Sequence, residues 1–423
     1  MTKTMMTKVM MIKAIITAAV AVLFSYSVTM AGDWLYIGGY GSEPNEAMKE
    51  LGVSQLKGIY VSDYEQSTGK ISNLRLVAEI GSPNFFAFSP DHSVLYTCCD
   101  GEEDLASFKV NAHTGDLTFL NRVANGSVGC THIDVSPDGK WLASANYTGG
   151  DFSINRLAED GSIGDITARI AFGGTGPEVD RQTKPYGHSC YFVPGSDGVL
   201  RLLLVDLGTD RVFINRVDTK TGTVTDDPDI PVLYVPAGGG CRHLAWRQTD
   251  EKTLDLFVNN ELNSTVSFFS LEFGKGSDGL TYWGTWLTLP EEFRGKVHWR
   301  QDKVDADPGL TLMNSTAETA WRANPDGSTT VYVSNRGHNS IAVYKIVERD
   351  GVRALTPIQF VSTQGNAPRY FCFDQNQSHM IVANKRTGTM LTFDIADDGT
   401  LTATDSDIVK IGWPCAMALT EKQ

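Results

Sequence analysis

The chain has no Cys-x-x-Cys pair, no Gly-x-Ser-x-Gly elbow, no His-Glu-x-x-His pair and no phosphate-binding P-loop. These absences remove dithiol redox chemistry, the serine of α/β-hydrolases, zincin proteolysis and P-loop nucleotide hydrolysis. Basic residues are also short: 36 Lys and Arg face 50 Asp and Glu, a net charge of -14. A surface of that sign does not track a phosphate backbone, so nucleic acid is not an expected partner. The seven cysteines (98, 99, 130, 190, 241, 372 and 415) are odd in number and spaced unlike a small stapled scaffold. Five of them, from Cys130 onward, fall in or beside expected innermost strands, where a small buried group is the usual role.

Only the start of the chain reads as a targeting segment. Lys3, Lys8 and Lys13 precede or flank an apolar stretch from Ala14 to Phe24, and Ser25, Ser27 and Thr29 lead on to Ala31. The apolar core is short for a membrane span and has the layout of a cleaved secretory signal. Residues 1–31 are therefore expected to be a signal peptide and residues 32–423 one exported domain, periplasmic or extracellular, with no stable membrane association after cleavage. No cysteine precedes Cys98, which excludes lipid attachment at a cysteine near the cleavage point.

The rest of the chain is a repeat. Apolar strands end at Cys99, Asn146, Asp206, Asn260, Asn335 and Asn384, and nine residues later stand Phe108, Asn155, Asn215, Phe269, Tyr344 and Phe393. A further copy comes first, from Trp34 to Tyr40 and then Gly58 to Ser62. Outer turns recur with it, among them Thr68-Gly69, Thr114-Gly115, Asp160-Gly161 and Asp398-Gly399. A unit that cannot bury both of its faces must stack on neighbours, and repetition at this spacing specifies an all-β, seven-bladed β-propeller. The segment Pro414 to Leu419 reads as an innermost strand without its own blade, while the first blade lacks one. Pairing of the N- and C-terminal strands is expected to close the ring. Two stretches, 42–57 and 289–315, exceed the repeat.

Counting back from the turn after each innermost strand gives one channel-facing position per blade: Asn84, Thr131, His188, Arg242, Thr319, Arg369 and Cys415. One register further on stand Phe85, His132, His243, Ala320 and Tyr370. Asn260, Asn335 and Asn384 are expected to cap turns through side-chain to backbone bonds. Polar groups at matched positions converge on one mouth of the channel. Their types suit the opening of a cyclic ester by water, with Glu261 or His188 accepting a proton and Arg242 and Arg336 offsetting charge on the carbonyl oxygen. The arginines can equally pair with Glu261 and Glu318 simply to stabilise the channel. Oxygen donors at Glu261, Asp206 and Asn146 raise the possibility of calcium, but arginines at the same mouth repel a cation. No metal and no cofactor are expected.

The strings Ala145-Asn146-Tyr147-Thr148-Gly149-Gly150, Asp206-Leu207-Gly208-Thr209-Asp210-Arg211, Asn260-Glu261-Leu262-Asn263-Ser264 and Ser334-Asn335-Arg336-Gly337-His338 resemble the lactonase family of seven-bladed propellers. That family includes 6-phosphogluconolactonase and the 3-carboxy-cis,cis-muconate lactonising enzyme. The resemblance implies hydrolysis of a sugar-type lactone at the channel mouth, with His188, Glu261, Arg242 and Arg336 as catalytic groups. Arg369, His243, His132 and Asn146 are expected on the substrate, a small anionic lactone, in a monomer. Pro185-Tyr186-Gly187-His188 departs from the Pro-His-x-His common in the family. A carboxymuconate-type lactonising enzyme and a non-catalytic extracytoplasmic binding propeller are the alternatives.

Overall fold

The computed structural model of the chain describes residues 32–99, 104–195 and 197–423. The leader read over residues 1–31 lies outside them. Seven antiparallel sheets follow one another around a ring, each ordered from an innermost strand outward. The innermost strands are Pro414–Glu421, Pro83–Phe88, Cys130–Val135, Gly187–Pro194, Cys241–Gln248, Ser315–Ala323 and Pro368–Phe373, for blades one to seven. Each packs against the next, and the last touches the first. The first blade is the expected composite of both chain ends. Its innermost strand pairs with Asp33–Gly39, setting Leu35 opposite Leu419 and Tyr36 opposite Ala418.

Burial explains the strand patterns. The second strand of a blade is covered on both faces, so Leu200–Asp206 is buried throughout. The outermost strand has one wet face, and Ile163–Ala171 alternates accordingly. The core lies between blades: Leu203, Val205, Val212 and Ile214 of the fourth pack on Leu254, Leu256 and Val258 of the fifth. Each such side chain contributes roughly 1.5–3 kcal/mol when fully buried. Outer turns latch onto the preceding blade. At Gly115 φ is +71°, and a Cβ there would meet the Trp34 ring at 2.7 Å. Tyr36 donates its hydroxyl to the Gly115 carbonyl at 2.9 Å, and Tyr332 does the same to Gly399 at 2.8 Å.

A bulge interrupts the start of every innermost strand. The ladder slips past Asn84, Thr131, His188, Arg242, Arg369 and Cys415, the positions expected to face the channel. An unpaired bulge residue is re-aimed out of the sheet, here into the bore. The sixth blade corrects the sequence reading. Thr316 pairs with Asn335 as Cys241 pairs with Asn260, so Ala317 holds the Arg242 register and Glu318 that of His243. The same bond marks both: His243 N donates to Asn259 Oδ1 at 2.9 Å and Glu318 N to Ser334 Oγ at 3.0 Å. Thr319 and Ala320 lie two residues too far along because this innermost strand has 9 residues, against 6 in the second, third and seventh blades.

The expected asparagine turn caps are also corrected. Asn335 donates to the Thr288 carbonyl at 2.7 Å and Asn384 to the Thr363 carbonyl at 2.8 Å, holding the linker that arrives from the preceding blade. Asn260 donates instead to Thr265 Oγ1 and Ser267 Oγ, each at 2.9 Å. The extra segment 289–315 folds as a small unit in which Val297–His298 pairs in parallel with Leu312–Met313, with a helix at Gln301–Ala306. The other, near the first blade, holds the helix Glu46–Glu50, capped by Asn45.

Candidate functional site

In four blades the residue after the matched asparagine at the end of the second strand stands at the channel mouth, and in the sixth blade that residue still belongs to the strand. Tyr147, Glu261, Arg336 and Lys385 stand there, directly after Asn146, Asn260, Asn335 and Asn384. A cleft of about 400 Å³ is lined by Arg181, Glu261, Trp299, Arg336, Arg369 and Lys385, with Asn366 and Arg386 at its side.

Glu261 is its centre. Oε2 lies 2.9 Å from Arg242 Nε and 3.0 Å from Arg336 Nη2, and Oε1 lies 2.9 Å from Arg181 Nη2. Burial opposes its ionisation, but Arg336, Arg181 and Arg242 outweigh burial and hold the carboxyl well below the usual range. Burial pushes Arg242 downward, as do Arg369 and Arg336, while Glu261 pulls the other way. A guanidinium keeps its charge under such pressure. Arg242 also donates to the Ala317 carbonyl, tying the fifth blade to the sixth, and Arg336 donates to the Thr316 carbonyl within the sixth.

Arg181 comes from the irregular segment before the fourth blade. Tyr147 Oη accepts from its Nε at 3.0 Å and its Nη2 at 2.8 Å, and the Trp299 ring lies 5.1 Å from its guanidinium. Arg300 pairs with Asp180 alongside. Two segments outside the blade repeat are thus locked together over the mouth. On the opposite wall Lys385 lies 4.1 Å from the Tyr40 ring centre. Burial, then Arg369, pushes its amine down to about 7.

Below the cleft the bore is filled by rings. His132 packs between the tilted rings of Phe85 at 4.1 Å and Tyr191 at 4.7 Å, and His243 lies 5.3 Å from His132 and 5.2 Å from His188. Burial, with Arg242 adding its charge, holds all three histidines well below 6.5, so they are neutral imidazoles. His243 Nδ1 lies 2.9 Å from Glu318 Oε2.

Of the residues expected from sequence, Glu261, Arg242, Arg336 and Arg369 come together, with His188 and His243 directly beneath. His132 lies further into the bore. Asn146 is buried within its blade and donates to Asp151 at 2.8 Å. Asp206 is likewise spent, accepting from Tyr186 N, Gly208 N and Thr209 Oγ1. Glu261, Asp206 and Asn146 do not converge, and among the described residues no group of three or more His, Cys, Asp or Glu could hold a metal ion. Sequence reasoning passed over Arg181, Trp299, Tyr147, Lys385 and the role of Glu318. The post-strand register that singles out Glu261 and Arg336 also carries Tyr147 and Lys385. Arg181 and Trp299 have no register to betray them.

A family model described as "Lactonase, 7-bladed beta-propeller" matches residues 34–418. The 6-phosphogluconolactonase of Bacillus subtilis is 29% identical over 341 residues, 80% of this chain and 87% of that protein. The 6-phosphogluconolactonase of Formosa agariphila is 27% identical over 342 residues, 79% and 88%. A protein from Lactobacillus plantarum superposes with a TM-score of 0.74 at 25% identity, covering 92% of this chain and 100% of that one. The periplasmic gluconolactonase of Pseudomonas aeruginosa gives 0.73 at 22%, covering 92% and 99%, a likeness of fold.

Proposed function

Since the chain belongs to the family of seven-bladed β-propeller lactonases, we propose that its mouth cleft hydrolyses a sugar-type lactone bearing an anionic group. The relatives named 6-phosphogluconolactonase support the reaction class. One observation carries the site: in a chain of net charge -14, Arg181, Arg336, Arg369, Lys385 and Arg386 line one cleft with Glu261 as its lining carboxylate. Positive charge so concentrated, in a place partly shielded from water, favours an anion.

The chemistry divides between the cleft and the bore. Water adds to the lactone carbonyl, and the planar forks of Arg336 and Arg242 offset the charge that grows on oxygen. Glu261, stabilised as a carboxylate by three guanidinium groups, takes up a proton poorly and serves to aim the arginines. His188, a neutral imidazole below it, is the better acceptor for the proton of the attacking water. It returns that proton to the ring oxygen as the ester C–O bond breaks, releasing a hydroxy acid.

Residues 1–31 act as a cleaved leader in this reading, and residues 32–423 form the exported enzyme. Outside the cytoplasm the substrate is an unphosphorylated or differently charged lactone. A pH-stat assay of the mature protein against lactones with and without phosphate or carboxylate groups tests the proposal. Hydrolysis is expected, with loss of turnover in His188→Gln. A folded protein that opens no lactone in the panel overturns it.

A further inference from the structure

Three buried groups form a line beneath the cleft. Glu318 Oε2 lies 2.9 Å from His243 Nδ1, and the His243 ring stands edge-on to His188 at 5.2 Å and 68°. The nitrogens left over, His243 Nε2 and His188 Nδ1, are both buried with no hydrogen-bond partner in the protein. The framework around the line is pinned. Thr319 N donates to Glu318 Oε1 at 3.0 Å, Ser334 Oγ accepts from Glu318 N at 3.0 Å, and Ser189 Oγ donates to the Arg242 carbonyl at 2.8 Å.

A neutral imidazole has one nitrogen that donates and one that accepts, so a bond at one fixes the character of the other. With Glu318 ionised, His243 donates from Nδ1 and presents a lone pair at Nε2. One water molecule between the two unpartnered nitrogens then donates to His243 Nε2 and accepts from His188 Nδ1, passing the direction on unchanged. His188 Nε2 is left with its lone pair. With Glu318 protonated the carboxylic acid donates to His243 Nδ1, every bond reverses, and His188 Nε2 carries a hydrogen.

We propose that Glu318 and His243 are positioning residues that set the tautomer of His188, deciding whether it offers the cleft a proton acceptor or a proton donor. The proposal rests on the reading of His188 as the group that accepts the water proton. It also gives a role to a carboxyl that sits in the bore at a register where four other blades place the rings of Phe85, His132, His243 and Tyr370 and the remaining two place Ser189 and Ala416.

Burial pushes Glu318 up to about 8, against the pull of Arg242, the Thr319 N–H and Arg369. The other titratable groups that face it are His243, Tyr191, Tyr370 and Cys372. Burial keeps the two phenols and the thiol protonated, and it keeps the imidazole neutral. Glu318 is therefore the group here that changes state in the weakly alkaline range. The accepting tautomer of His188 grows as pH rises through that range.

The test is nitrogen NMR of protein labelled in the histidine rings, with the His188 signals assigned by their loss in His188→Gln. In the wild type His188 is expected to pass from the Nε2–H to the Nδ1–H form between about pH 6.5 and 9.5. In Glu318→Gln that change disappears. His243→Phe, which puts in the bore the ring type that Phe85 supplies at the same register, breaks the line without removing the carboxyl and should abolish the change as well. A His188 tautomer that ignores pH in the wild type, or that still changes in both variants, overturns the proposal. This readout needs no substrate, so its failure is distinct from failure of the lactonase reading. With a hydrolysed lactone, both variants should lose the alkaline rise in kcat and fall about tenfold or more at its plateau, the effect of a misdirected catalytic histidine.

Discussion

Arg242 Nε and Glu261 Oε2 stand 2.9 Å apart within the fifth blade, and the same oxygen receives Arg336 of the sixth. One carboxylate therefore joins two blades and offsets charges that would otherwise drive the mouth open. Removing one partner of a buried ion pair typically costs about 3–5 kcal/mol, because the other charge stays behind. Glu261→Gln should accordingly lower the thermal midpoint, and added phosphate or a sugar-acid anion should restore more of it than it adds to the wild type. An unchanged midpoint in calorimetry would contradict the clamp.

Lys385 gives the cleft a charge that depends on pH. Its amine is pushed down to about 7, so the cleft is most positive below that value and loses a charge as pH rises through it. Affinity for an anionic lactone or its hydroxy-acid product should fall over the same interval, while neutral lactones are little affected. In Lys385→Arg the charge persists and the dependence should flatten. Titration calorimetry at pH 6 and 8.5 measures both; equal pH dependence in the two proteins would refute the assignment.

His379 lies far from the site, with Nδ1 3.0 Å from Asp374 and Nε2 3.2 Å from Asp394. The Asp374 hydrogen bond raises its folded pKa, so the stabilisation is whole below the unfolded value of about 6.5 and is lost as pH rises through the folded one. Asp374 is lowered, and its share is present above the ordinary carboxylate range and lost as pH falls through the folded value. His379→Gln should show a smaller loss of thermal midpoint than the wild type on going from pH 6 to 8.5. A difference between the two proteins that stays constant over that range would rule out the ion pair as its source.

The seam between the chain ends should be indispensable. Deleting residues from Pro414 onward strips the ladder from Asp33–Gly39 and exposes the first blade's inner edge. Loss of the cooperative unfolding transition is expected, not a modest shift. A truncated chain that melts like the full one would show that the ring does not need its clasp.

Mass spectrometry of protein recovered from the secreting cell should find a mature chain beginning near Gly32, soluble without detergent. Recovery only of the full-length chain in the membrane fraction would defeat the leader reading.

Much of this molecule was legible because a propeller repeats its instructions. Strand ends at Asn146, Asp206, Asn260 and Asn384 fall where the sequence places them, and the bulged residues His188, Arg242 and Arg369 follow from that register. Legibility failed where the repeat does. A longer innermost strand in the sixth blade moved the bore position from Thr319 to Ala317 and concealed Glu318 behind it. Arg181 and Trp299 belong to segments outside the blades, whose path is set by each other and by Tyr147. Glu261 was recognisable as important, but its clamping by three arginines depends on side chains from three separate parts of the chain, which no spacing announces.

The clasp between the termini has a consequence for the life history of the protein. Tyr40 directly follows the first strand and Trp413 directly precedes the last, and Tyr40 N donates to the Trp413 carbonyl at 3.2 Å. Lys385 rests against both rings, at 4.1 and 5.8 Å. The lysine on one wall of the cleft is thus backed by the residues that adjoin the first and last strands of the ring. A partly assembled chain has no finished cleft, and ligand binding by this protein is at the same time a report that the circle has shut.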